Sequence, residues 1–502
     1  MSFDMSFVRS FFSLFLLIVL LQVSAFGQVK NSISMDNENL YRPSFHFTPL
    51  KGWMNDPNGM VYLNGQYHLF YQHYPDSTVW GPMHWGQATS KDLAEWVHQP
   101  IALFPDSIGM IFSGSSVLDK NNTSGLGRNG IAPLIAIFTQ HNMPGEKAGR
   151  VDFQNQSIAF SLDEGKTWTK YAGNPVLKTP NLKDFRDPKV IWHEPSKKWI
   201  MSLAVGDHVE FYSASNLIDW TKESEFGKGQ FAHGGVWECP DLMSFNLDGR
   251  SIWVLLVSMN PGGPNGGSAT QYMVGDFDGH EFKPFTTQTK WMDFGPDNYA
   301  GVTFSNTGDR NVLIGWMSNW NYANLVPTQK WRSAMTVPRE LSVVKSSNHS
   351  NASKDYLLVS RPVKELNAGF TPIQKNENIV PNRMDIADFK ATDYEIVFSN
   401  DYNEKLVVGY DAHKKQFFID RKNAGVSKFH EGFAAVATAP RFAEDAKMDL
   451  TILLDKTSVE LFADGGRTVM TALFFPTHPY NKWKIVSKEK IASGSLQLFS
   501  LK

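Results

Sequence analysis

Trp53-Met54-Asn55-Asp56-Pro57-Asn58-Gly59 runs directly into Met60–Leu63, an Asn64-Gly65 pair and the strand-forming segment Gln66–Tyr71. An Asn-Gly pair between two such segments marks a tight hairpin, because both turn residues must tolerate positive φ. The stretch therefore sets a carboxylate, Asp56, at the mouth of a β-strand, between side-chain amides and a rigid proline. Taken alone, Asn-Asp-Pro reads better as an Asx-type turn with Asp56 as its hydrogen-bonding residue. Recurrence changes that reading, since acids stand at the heads of later strands as well.

Downstream of Met60 the chain reads as strands and turn signals with almost no helical periodicity. The strands group into five units spaced by roughly 50–75 residues, the size of propeller blades. Their leaders are Asn55-Asp56-Pro57, Phe112-Ser113-Gly114, Arg186-Asp187-Pro188, Glu238-Cys239-Pro240 and Asp297-Asn298-Tyr299. A closed ring of five all-β units protects its sheet edges, and the expected fold is a five-bladed β-propeller over residues 36–344. In such a ring the starts of the innermost strands converge at one end of the axis, so Asp56, Asp187 and Glu238 would meet. Three crowded acids are costly unless paired or partly protonated, and such crowding is more often catalytic than structural. A further carboxylate, Asp163 in Ser161-Leu162-Asp163-Glu164-Gly165-Lys166-Thr167-Trp168, resembles the turn-bracing acid of an Asp-box hairpin and is assigned a structural role.

Lys345–Asp355, rich in Ser and Asn, reads as the interdomain linker. Beyond it, alternating segments such as Ser458–Ala463 and Arg467–Phe475, joined by tight turns, indicate a β-sandwich over residues 356–502. That region has no comparable cluster of acids beside turns, and a structural module that supports the propeller is expected ahead of a sugar-binding one.

Two domains suit a chain of 502 residues. A net charge of −2 leaves no footprint for nucleic acid, and an uncharged partner fits better. Arg9, the apolar run Phe11–Leu21 and the small residues Ser24, Ala25 and Gly27 make residues 1–27 an expected signal peptide. The expected location is secreted or periplasmic, with no membrane anchor after cleavage. The only cysteine, Cys239, allows no internal disulfide or cysteine-based zinc site, and no His-Glu-x-x-His pair occurs, so neither metal nor cofactor is expected.

These motifs, together with Gly315-Trp316-Met317, Trp331-Arg332, Pro338-Arg339-Glu340-Leu341 and Val459-Glu460-Leu461-Phe462, resemble glycoside hydrolase family 32, the invertases, inulinases, levanases and fructan β-fructosidases. The resemblance implies the same propeller followed by a sandwich, and a substrate that is a fructan or a sucrose-type carbohydrate. It implies Asp56 as nucleophile, Glu238 as general acid/base and Asp187 as transition-state stabiliser. Asn55, Gln72, Trp80, Phe112, Ser113, Arg186 and Trp316 would surround the fructosyl unit, with Arg186 keeping Asp187 ionised. An exported, exo-acting, retaining β-fructosidase is the leading expectation. An endo-acting levanase or a fructosyltransferase would use the same residues, and a fructan-binding protein is the non-enzymatic alternative.

Overall fold

β-Strands are the dominant element of the protein, in a computed structural model that describes residues 37–346, 355–490, 492 and 494–502. The expected signal peptide lies outside the described residues. Five sheets follow one another in chain order, with inner strands Gly52–Leu63, Met110–Leu118, Phe185–His193, Val236–Leu247 and Tyr299–Thr303. They form a five-bladed β-propeller. Apolar residues fill the wedges between neighbouring blades, for example Phe70, Trp85 and Phe138 between the first two and Val254, Leu256 and Leu313 between the last two. The ring closes where Gly52 and Trp53 pair in parallel with Trp331 and Arg332.

Four of the five leader motifs lie inside the inner strands rather than ahead of them, and the fifth, Asp297-Asn298-Tyr299, reaches its strand at Tyr299. Each inner strand breaks register with its neighbour at its leader: at Met54/Pro57, Ile111/Gly114, opposite Ser202/Ala204 in the third blade, at Glu238/Asp241 and at Tyr299/Val302. Such bulges sharpen the local twist and re-aim a side chain, here at one end of the axis. Asp187, Cys239 and Ala300 occupy the left-handed region with φ of 64°, 47° and 52°, a conformation that non-glycine residues adopt at a cost. At Gly114 the limit is space: a Cβ would sit 2.1 Å from the Ile137 carbonyl oxygen. The Asp163 carboxylate accepts from the Thr167 amide at 2.9 Å and the Ser161 hydroxyl at 2.7 Å, while Trp168 packs edge-on against Phe70, a purely local brace.

The boundary expected at Lys345–Asp355 needs correction. Tyr356–Pro362 pairs antiparallel with Arg339–Lys345, from Arg339↔Pro362 to Lys345↔Tyr356. Both described ends of the polar run lie in the fifth blade, whose sheet reaches Pro362 rather than ending at 344, so the run does not separate the domains. A composition of small polar residues marks exposed chain of any kind and does not separate a hairpin loop from a linker. The chain leaves the propeller through the short 3-10 segment Lys364–Gly369 and then builds a six-stranded and a five-stranded sheet. Ile396, Phe398, Val408, Phe417, Ile452, Leu461 and Trp483 fill the space between these two sheets, a β-sandwich.

Buried charge joins the two domains. Arg339, fully buried in the fifth blade, donates to Asp293 at 2.9 Å and to Glu460 of the sandwich through Nε at 3.2 Å. The far side of Glu460 accepts from His46 at 2.7 Å and from the Val337 amide at 3.0 Å. Burial opposes charge on His46, but its hydrogen bonds to Asp455 and Glu460 prevail and push its pKa up to about 9. Alongside, Arg421 of the sandwich donates to Asp297 at 2.6 Å and to the Tyr322 hydroxyl at 2.9 Å. The backbones touch at Gly295, where a Cβ would meet the Thr471 carbonyl oxygen at 2.0 Å.

Removing one partner of a buried pair strands the other charge, at a cost of about 3–5 kcal/mol. Arg339→Leu is therefore expected to lower the stability of the whole protein by about that amount in denaturant unfolding. A loss below about 1 kcal/mol would show that the cluster does not hold the domains together. The His46 contribution has the opposite pH sense to that of a paired carboxylate. It is complete below pH 6.5 and is lost as pH rises through about 9, so the melting temperature of the wild type falls across that window more steeply than that of His46→Gln.

Candidate active site

The bulged ends of the inner strands surround a pocket of about 310 Å³, lined by Asn55, Asp56, Gln72, Trp80, Phe112, Ser113, Arg186, Asp187 and Glu238, with His141, Glu146, Phe153, Gln154, Asp184 and Trp320. All three expected acids are present, carried by the first, third and fourth blades. No described residue of the sandwich lines it. A larger cavity of about 520 Å³ opens at the opposite end of the axis and contains none of the three.

Each acid is held differently. Asp56 is buried, and its carboxylate accepts from the Ser113 hydroxyl at 2.6 Å, from Asn55 Nδ2 at 3.1 Å and from the Cys239 thiol at 3.4 Å. All three donors are neutral. Asn55 is itself fixed, since its Oδ1 accepts from the Trp53 indole at 2.7 Å. Asp187 accepts from the Cys239 amide at 3.1 Å, and its own amide donates to the Thr139 hydroxyl at 3.0 Å. Glu238 is the most open of the three. One of its oxygens accepts from Arg186 Nε and Nη2 at 3.2 and 3.0 Å, and the other accepts a short hydrogen bond from the Tyr299 hydroxyl. Gln72 donates to Asn58 at 2.7 Å, and Phe112 stands edge-on to Trp80 at one wall.

Family models for glycosyl hydrolases family 32 match residues 46–358 (N-terminal domain) and 374–500 (C-terminal domain). The chain belongs to glycoside hydrolase family 32. It is 46% identical over 464 residues to a levanase of Bacillus subtilis, a match spanning 87% of this chain and 66% of that protein. It is 39% identical over 513 residues to an extracellular exo-inulinase of Aspergillus niger, covering 93% and 95% of the two chains. Among solved structures, a fructofuranosidase of Schwanniomyces occidentalis in complex with fructosylnystose superposes with a TM-score of 0.82 at 34% identity, covering 93% of this chain and 98% of that one.

Within this family-32 hydrolase the electrostatics of the pocket follow from burial. Removal from water raises the Asp56 pKa, against the Ser113 and Asn55 hydrogen bonds and with a further push from Glu238. For Asp187, burial and the charges of Glu238 and Asp56 outweigh Arg186 and bring the pKa up to about 7. This differs from the expectation that Arg186 keeps Asp187 ionised. The guanidinium donates to Glu238, to Asp184 at 2.7 Å and to Gln154 at 3.4 Å, and lies 4.0 Å from Asp187. Three surrounding carboxylates in turn hold the proton on Arg186 despite its burial.

Trp316 is not a wall of this pocket. It is fully buried in the wedge between the fifth and first blades, 6.1 Å from the Trp53 ring and 4.8 Å from Trp320. Trp320, just beyond the strand Asn311–Met317, takes the place at the pocket. Sequence reasoning also did not single out Tyr299, although it belongs to the fifth leader, where its equivalence to the acids was the available signal. Ligand-compatible spacing for a metal occurs at His208, Glu210 and Glu225 in the third blade, none of which lines the pocket. There Lys222 already pairs with both acids, with Glu225 at 3.5 Å.

A carboxyl whose pKa is raised on folding makes a contribution that is complete below its unfolded value near 3.8 and is lost as pH rises through about 7. Asp187→Asn removes the charge and keeps the shape. Its melting temperature relative to wild type should therefore rise from pH 5 to pH 8, while turnover collapses. Thermal melts at the two pH values check this, and a gain that shrinks with pH would contradict the burial argument.

Proposed function

We propose that the protein is an exported, retaining β-fructosidase that removes terminal β-D-fructofuranosyl units from levan, inulin and sucrose. The observation that carries this reading is the contrast between the acids. Asp56 rests on neutral donors on the pocket floor, whereas Glu238 is the more exposed acid and is tied to Arg186 and Tyr299.

In this reading Asp56 attacks C2 of the fructosyl unit and forms an ester as the C2–O bond breaks. Glu238 gives its proton to the departing oxygen and later takes one from the water that opens the ester. Asp187, close to both, accepts hydrogen bonds from ring hydroxyls that strengthen as positive charge develops on the sugar. Arg186 and Tyr299 fix the Glu238 carboxyl on its two sides. Ser113 and Asn55 aim Asp56, and Gln72 supplies a polar contact on the floor. Trp80 and Phe112 present apolar ring faces to the sugar. A pocket of about 310 Å³ walled by Trp80, Phe112 and Trp320 admits a chain end rather than the middle of a polymer. Export is supported by the basic residue, apolar run and small residues at the N-terminus and by the extracellular relative. Secretion or transfer to a periplasm follows from it.

Asp56→Asn and Glu238→Gln are each expected to lower kcat by at least about 10³-fold with melting temperatures close to wild type. Loss of stability in parallel with rate would mark these residues as structural. Levan, inulin and sucrose digests should release free fructose from the first minutes, initially as the β-anomer by NMR. An early ladder of oligosaccharides would overturn the chain-end reading, and an initial α-anomer would overturn the double displacement.

A further inference from the structure

The hairpin loop Asn142–Phe153 of the second blade joins the strands Leu134–His141 and Gln154–Ser161 and contributes to the pocket lining, a role the mechanism above does not use. The loop is well braced. The Asn142 amide donates to the Phe153 carbonyl at 2.8 Å, the Asn142 side chain caps the short helix Met143–Lys147 through the Gly145 amide at 2.8 Å, and the Arg150 amide closes back on Gly145 at 3.1 Å.

At its base the His141 ring lies flat on Phe112, with centroids 4.3 Å apart and planes 13° from parallel, and edge-on to Phe153. Gln154 is oriented by its Oε1, which accepts from the Phe185 amide at 2.8 Å and from Arg186 at 3.4 Å. Its Nε2 therefore faces His141 Nδ1, 3.2 Å away, and Nδ1 must accept. The imidazole proton then sits on Nε2 and is donated to Glu146 Oε2 at 3.0 Å. Burial lowers the His141 pKa, in keeping with a neutral ring. The other Glu146 oxygen has no partner among the described residues.

Side-chain exposure grades from the floor outwards: 6% at Asp187, 25% at Glu238, 28% at Asp184 and 38% at Glu146. Glu238, the proton donor, marks where the leaving oxygen must lie. The sugar attached to that oxygen then extends outwards past Arg186 and Asp184, towards Glu146. We propose that Glu146 is a specificity-determining residue, whose free carboxylate oxygen accepts hydroxyl hydrogen bonds from the sugar unit on the leaving side of the scissile bond. An acceptor-only anion suits the hydroxyls of an uncharged saccharide and repels a phosphorylated one. The assignment rests on the β-fructosidase reading.

The test compares kcat/KM for a fructose-terminated trisaccharide with that for 4-nitrophenyl β-D-fructofuranoside, whose leaving group carries no hydroxyl on its ring. Glu146→Ala is expected to lower the trisaccharide-to-aryl ratio about tenfold, chiefly through the trisaccharide KM. Glu146→Gln, which can still accept from His141, should lower it about threefold. An unchanged ratio in enzymes that remain active would overturn the role of Glu146 alone, whether both substrates are affected equally or neither is. A wild-type protein that cleaves neither substrate would overturn the β-fructosidase reading and this assignment together.

Discussion

Three carboxyl groups share one poorly hydrated spot on the propeller axis with a single guanidinium. Burial disfavours every negative charge there, and the acids disfavour one another, so Asp56 and Asp187 both sit above their ordinary range. Arg186 cannot neutralise all of them, and its hydrogen bonds to acids go to Glu238 and Asp184. The site is thus a source of instability that the surrounding structure must offset. Backbone strain at Asp187 and Cys239 adds to it, for the bulges that aim the acids force left-handed φ on both residues.

The compensation comes from elements far apart in sequence. In the fifth leader, Asp297 is held by Arg421 and by the Leu473 amide, and Asn298 donates to Asp293 at 3.0 Å. Tyr299 follows immediately and hydrogen-bonds Glu238. Two of these three residues therefore belong to the domain interface and the third to the pocket. The sandwich contributes no described residue to the pocket, yet its Arg421, and its Glu460 through Arg339 and Asp293, fix the backbone from which Tyr299 reaches the acid. In this sense the second domain is part of the active-site scaffold.

The sequence revealed the acids because one local device is repeated. Each blade carries its bulge at the same point, so the leaders could be aligned by eye and their convergence followed from ring symmetry. What stayed hidden depends on contacts rather than spacing. Trp316 and Trp320 are both aromatic and four residues apart, and only the packing of the last wedge decides which is buried. Lys345–Asp355 has a linker's composition, and only the pairing of the strands on either side of it shows that both belong to one blade. The partners of Arg186 depend on the direction of one guanidinium, and the link from His141 to Glu146 on an amide orientation set by the Phe185 backbone. The sandwich was visible from alternation and turns, but that Arg339 and Glu460, each inside a quoted motif, and Arg421 dock it is a matter of contacts that no spacing shows.

Why the propeller offers a one-ended pocket rather than a tunnel follows from the same inner strands. Asp187 faces the pocket, whereas Lys189, two residues along and on the same face, lines the cavity at the opposite end of the axis. Lys189 donates to Asp241 at 3.1 Å and to the Thr303 carbonyl at 2.6 Å, while the Thr303 amide and hydroxyl both donate to the same Asp241 oxygen. These residues come from the third, fourth and fifth blades and are buried, so the pair ties three inner strands together across the axis. Separating it would leave two desolvated charges, a larger penalty than any sugar contact could offset. The axis is therefore closed beneath the acids. The floor of the pocket thus rests on the same ion pair that ties the third, fourth and fifth inner strands together.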